Sequence, residues 1–200
     1  MWKTSTNALA LLACLALGAC ASSPTGPGAE KPPVKVDARA KTEFSQAIQA
    51  LKDKRDDEAL HLLTGLTRKY PNLAGPFTNL GLLYIKQDKL EQARQALLQA
   101  TTVRPDDAVA FNELGVVYRK LGKFKQAQQA YQQALKLKPD YADAHLNIGI
   151  LYDVYLNDLP RALSHYEKYQ RLSSNPDKIV AKWIIDLKRR VKKQQAKVTS

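Results

Sequence analysis

The side chains here that could do chemistry are two cysteines, three histidines and a few adjacent carboxylates. Cys14 and Cys20 both lie in LLACLALGAC, residues 11–20. A thiolate can serve as nucleophile, redox partner or metal ligand. No histidine or carboxylate stands in that stretch to complete a metal set. His61, His145 and His165 belong to no HExxH pattern and to no nucleophile–base constellation. No GxGxxG or phosphate-binding loop occurs. Asp56-Asp57 and Asp106-Asp107 sit at turns and read as solvated turn residues and helix N-terminal charges. The expectation is a protein that is not an enzyme, with no cofactor, catalytic residue or metal site. What remains to explain is why the two thiols share one apolar run.

The N-terminus, MWKTSTNALALLACLALGACASS, has a lysine at position 3 and an apolar run from Ala8 to Leu17. That run is too short for a membrane-spanning helix, which needs about 20 residues, and has the shape of a secretory signal. It ends in Leu17-Gly18-Ala19-Cys20, which resembles the lipobox of bacterial lipoproteins: an aliphatic residue, two small residues, then cysteine. The resemblance implies a signal peptide over 1–19, lipidation at Cys20 with diacylglycerol and a fatty acyl chain such as palmitate, and loss of Cys14 with the signal. Multiple acyl chains anchor a protein stably where one does not. Residues 20–38 follow as a Pro/Gly/Ser-rich stretch with few large apolar residues, read as the lipidated Cys and a disordered linker. The absence of Asp after Cys20 implies an outer-membrane, lipid-anchored protein on the periplasmic face, or the cell membrane if the organism has no outer membrane.

The rest of the chain repeats itself. FTNLGLLYIKQDKLEQARQALLQATTVRP (77–105) aligns without a gap on FNELGVVYRKLGKFKQAQQAYQQALKLKP (111–139) at an offset of 34. Shared or similar positions are Phe77/Phe111, Leu80/Leu114, Gly81/Gly115, Tyr84/Tyr118, Ala93/Ala127, Leu97/Tyr131, Ala100/Ala134 and Pro105/Pro139. Small residues suit a close helix crossing, aromatics fill gaps between helices, and proline ends the second helix. Spacing and residue types resemble the tetratricopeptide repeat, a helix–turn–helix unit whose apolar face is covered only by its neighbours. Extending the register places repeats at 74–107 and 108–141 and a degenerate one at 40–73, where Ala47, Ala59, Leu63 and Pro71 fit and Phe44 is displaced by one. A fourth, 142–176, carries Ile148, Gly149 and Tyr152 on the markers, then Ala162 and Tyr166 one residue late. The extra residue is expected near Leu156–Pro160, lengthening the turn. His145 takes an aromatic marker position and reads as packing.

Residues 177–200 are expected to form a basic amphipathic capping helix and tail. Asn175 reads as the N-cap and Pro176 as the first helical residue, and Val180, Trp183, Ile184, Leu187 and Val191 form one apolar stripe. Fraying is expected beyond about Lys193. The whole is an all-α solenoid of about four helix–turn–helix repeats with a C-terminal capping helix, preceded by a lipoprotein signal and linker.

In the family, the first helices line a concave groove that holds a protein or peptide partner. Carried over by position, the groove candidates are Thr78, Asn79, Leu82, Ile85 and Lys86; Asn112, Glu113, Val116, Arg119 and Lys120; and Asn147, Ile150 and Asp153. Asparagine amides can pair with an extended backbone, and the apolar members can hold its side chains. The Lys/Asn/Arg clamp of chaperone-binding members is absent, since Thr78, Asn112 and Leu146 occupy its fifth position. The net charge of +12 and pI near 9.7 point to an anionic partner or surface. Half of that charge lies in 176–200, with Lys182, Lys188, Arg189, Arg190, Lys192 and Lys193 as the main basic candidates. Nucleic acid is not expected, because no aromatic stacking residues interleave with the charge. The expected function is a membrane-anchored interaction scaffold or adaptor in the cell envelope, similar to pilus-assembly and protease-adaptor lipoproteins with such repeats. The alternative is a polyanion binder, for lipopolysaccharide or a cell-wall polymer, using the basic tail.

Overall fold

The computed structural model describes residues 37–175 and 177–198; the signal, Cys20, the linker and Pro176 lie outside the described residues. Among the described residues every regular element is helical. The order is α1 (Ala38–Lys52), α2 (Asp56–Lys69), α3 (Ala74–Lys86), α4 (Leu90–Val103), α5 (Ala108–Lys120), α6 (Phe124–Leu137), α7 (Ala142–Ile150) continued by a π-helical turn (Leu151–Tyr155), α8 (Leu159–Leu172) and α9 (Lys178–Val198). Antiparallel pairs α1/α2, α3/α4, α5/α6 and α7/α8 stack in series, each second helix packing on the next first helix. The prolines 71, 105 and 139 each fall two residues beyond a second helix, where the missing N–H costs the helix nothing.

Each pair crosses at one small residue. A Cβ on Gly115 would stand 2.5 Å from the Tyr131 ring, a distance no packed carbon tolerates. The same crossing joins Gly81 to Leu97 and Gly149 to Tyr166. In the degenerate first repeat, Ala47 takes the glycine position and is fully buried, as is Leu63 across from it. The displaced Phe44 packs instead against Gly75 of the next repeat.

The inserted residue of the fourth repeat is not in the turn. All four helix–turn–helix turns have three residues with a left-handed one in the middle: Lys54, Asp88, Gly122 and Asn157. The chain-reversing hydrogen bond runs Lys89 N–H to Tyr84 O and Lys123 N–H to Tyr118 O, but Asp158 N–H to Tyr152 O, one residue longer. The first helix absorbs the insertion as the π-helical turn Leu151–Tyr155, a common way to keep both flanking segments in register.

α9 also departs from expectation at both ends. Its N-cap is Asp177, whose carboxylate accepts from the Ile179 and Val180 amides, rather than Asn175. The Gln170 side chain holds Asp177 in place, accepting from its N–H and donating to its carbonyl, and so ties the start of α9 to α8. The helix runs on to Val198 instead of fraying near Lys193, since Gln194, Gln195, Ala196 and Lys197 are strong helix formers. Val180 and Leu187 are buried, and Ile184 and Val191 half-buried, against α8 and the π-helical turn. Trp183 remains 39% exposed while its ring meets Tyr166.

Candidate functional site

The first helices α3, α5 and α7 lie side by side, and their shared face is the site the register predicts. The structure divides the candidate residues into three groups. The first is removed from solvent. Thr78 is buried, its hydroxyl between the Ala74 carbonyl and the Asp107 carboxylate. Asn112 is 1% exposed. Neither can touch a ligand, because the neighbouring first helix covers this position. The Asp106-Asp107 pair splits likewise: Asp106 is exposed, but Asp107 is buried rather than solvated. Asp107 caps α5 by accepting from Val109 and Ala110 and pairs with Arg104.

The second group is on the face but already engaged. Asn79 Nδ2 donates to the Gly75 carbonyl of its own helix. Asn147 Nδ2 donates to Asn112 Oδ1, and Asn112 Nδ2 to Glu113 Oε1, forming a ladder from α7 to α5. The Asn147–Asn112 contact therefore braces α7 against α5. Lys86 pairs with Asp56 at 2.6 Å, Lys120 with Asp88 at 2.6 Å, and Asp153 with Arg190 of α9 at 3.1 Å. These pairs are solvent-screened and worth little individually.

The third group is available. Leu82 is 38% exposed, and Ile85, Val116 and Ile150 are half-buried at positions that the repeat register assigns to this face. They form an apolar floor across three repeats. Glu113 is half-buried with no cation at hand; burial pushes its carboxyl up, against the Asn112 hydrogen bond. Arg119 is half-buried with no carboxylate partner; its Nε donates to the Tyr131 hydroxyl at 3.4 Å, and its guanidinium lies over the Tyr155 ring. Tyr155 was not a candidate. It is the last residue of the π-helical turn, 42% exposed and 4.7 Å from the Phe124 ring, next to Val154 at 65% exposure. The one-residue insertion was the signal for it.

Of the basic tail candidates, Lys188 pairs with Glu167, Arg189 with Asp186, and Arg190 with Asp153 and Asp186. Lys182, Lys192 and Lys193 are exposed and form no ion pair among the described residues. The remaining titratable cluster is internal. His145 Nε2–H donates to the Pro139 carbonyl at 3.0 Å, so its Nδ1 accepts from His165 Nδ1–H at 2.9 Å. Burial lowers both imidazoles, His165 to about 4 with help from His145, Lys168 and Arg161. The pair bridges α7 and α8, away from the groove floor. Among the described residues no group of side chains could hold a metal, and no helix is long and apolar enough to cross a membrane.

The family model described as TPR repeat matches residues 81–122 and 117–153. Over residues 81–153 the sequence matches tetratricopeptide repeats. No curated protein matches it. Among solved structures, MamA from Desulfovibrio magneticus RS-1 (residues 41 to the end) superposes with a TM-score of 0.67 at 19% identity, covering 80% of this chain and 89% of that one. TTC0263, a thermophilic tetratricopeptide protein of Thermus thermophilus, gives 0.61 at 24% identity, covering 74% and 80%. The first tetratricopeptide domain of Spaghetti (RPAP3), bound to the HSP90 peptide SRMEEVD, gives 0.55 at 22% identity, covering 59% and 92%. These likenesses show the fold. They agree with the tetratricopeptide solenoid of stacked helix pairs described above.

Proposed function

We propose that the protein is a non-enzymatic interaction scaffold that holds an extended peptide segment of a partner protein in its tetratricopeptide groove, tethered to a bacterial envelope membrane through Cys20. The observation that carries the groove is the floor of Leu82, Ile85, Val116 and Ile150, apolar surface left open across three repeats while the polar residues around it are engaged. Such a stripe suits the alternate side chains of an extended ligand. A solved tetratricopeptide neighbour holds a peptide, which supports the same use here. The tether rests on Leu17-Gly18-Ala19-Cys20 and on the linker after it. With the outer membrane as its site, the scaffold would serve assembly of an envelope complex such as a pilus or secretion apparatus.

A double experiment tests this. Labelled palmitate should enter the wild-type protein and not Cys20→Ser, which should leave the membrane fraction. Leu82→Glu and Val116→Glu should stay folded and lose the partner. Retention of both membrane and partner by all three variants would remove the proposal. The exposed Lys182, Lys192 and Lys193 favour a second reading, polyanion binding by α9. Its signature is affinity that falls steeply with salt, unlike an apolar groove contact.

A further inference from the structure

We propose that Arg119 and Tyr155 form a subsite for an acidic side chain of the bound peptide; this deepens the peptide-groove reading and rests on it. Three other basic residues border the groove, Lys86, Lys120 and Arg190, and each already faces a carboxylate of the chain itself. Arg119 does not. A half-buried guanidinium without a counterion is an unfavourable arrangement, and here the chain fixes it in place. Tyr131, itself fully buried, accepts from Nε, and Tyr155 lies 5.9 Å from the guanidinium carbon. The guanidinium meets the hydroxyls of Tyr131 and Tyr155 and no carboxylate among the described residues, and its planar fork matches the geometry of a carboxylate.

The π-helical turn is what builds this arrangement. The first helices α3 and α5 have 13 residues each. In the fourth repeat the first helix is one residue longer, and Tyr155 is where that extra length emerges, between Arg119 and Phe124. Tyr155 shields one side of the cation from water, which strengthens its pull on an anion from the other. Val154 and Leu156, exposed on either side, and Val116 on the floor would take apolar neighbours of the acidic residue. The ligand expected is an extended peptide with Asp or Glu flanked by apolar side chains.

The probe is a displayed library of random linear peptides without free C-termini, panned on the full-length wild type and on Arg119→Gln, Lys193→Gln and Leu82→Glu. Wild type and Lys193→Gln should enrich a shared Asp or Glu beside apolar residues, and Arg119→Gln should keep the apolar preference alone. In solution, replacing the acidic residue of a selected peptide by its amide should weaken wild-type binding about tenfold and leave Arg119→Gln binding unchanged. Circular dichroism identical to wild type checks that Arg119→Gln is folded, and Arg119→Lys should restore the acidic preference only in part. Equal acidic enrichment on Arg119→Gln, or its loss on Lys193→Gln, would overturn the subsite while leaving the groove intact. Peptides that bind Leu82→Glu as well as wild type would overturn the groove reading itself.

Discussion

Acid should loosen the fourth repeat through its histidine pair. With both rings neutral, three of their four nitrogens are matched: His145 Nε2–H to the Pro139 carbonyl, and His165 Nδ1–H to His145 Nδ1. A proton on His145 would reverse that contact and force His165 into its Nε2–H tautomer. A proton on His165 would place a charge on a half-buried ring near Lys168 and Arg161, with Tyr152 stacked on it at 5.7 Å. Burial, with those neighbours, holds His165 at about 4, against 6.5 for the ordinary ring. The unfolded chain therefore takes up its proton first as pH falls. The stability is fully present above about pH 6.5 and is lost progressively down to about pH 4. At pH 5 the loss from this ring alone is about 1–2 kcal/mol, the lower figure allowing for the part of the ring that water screens. Glu113, raised by burial, has the opposite sign, favouring the folded state as it protonates at lower pH. Urea denaturation followed by circular dichroism at pH 7 and pH 5 measures the sum. His165→Asn keeps a donor near the Nδ1 position and removes the titration; it should be less stable at pH 7 but lose less between the two pH values. An equal loss in wild type and His165→Asn would refute the reasoning.

Gly115→Ala drives a methyl group into the Tyr131 ring and should cost about 2–3 kcal/mol in urea denaturation. Lys54→Gly should stabilise by about 1 kcal/mol, because Lys54 holds a φ of 58° that Gly122 occupies without strain in the equivalent turn. Leu187→Ala removes a fully buried contact between α9 and the fourth repeat and should cost about 2–4 kcal/mol by the same assay.

The repeat register was legible because its markers answer to geometry. A glycine opposite a large side chain at a fixed spacing leaves few alternatives, and Gly81–Leu97 and Gly115–Tyr131 meet as that spacing demands. The capping stripe was legible for the same reason: Val180, Ile184, Leu187 and Val191 share one helix face and all are covered to some degree. Placement of the inserted residue was not. Sequence alignment sees a one-residue offset, and only backbone hydrogen bonding decides between a longer turn and a π-helical turn. In the groove, register puts the right residues on the right face but says nothing of how closely the next helix approaches. That approach is what buries Thr78 and Asn112 and occupies the amide of Asn147, while the Asn79 amide is taken by its own helix. Tyr155 was missed because it belongs to no family position; the insertion creates its place.

The most direct test of the account is photocrosslinking in living cells, with a photoreactive residue at Leu82 on the groove floor and, as the comparison, at Gln132 on the exposed surface of α6. The account predicts one discrete protein adduct at Leu82, absent at Gln132, whose purified partner binds wild type and not Val116→Glu. No adduct at Leu82, or the same adducts at both positions, would contradict it.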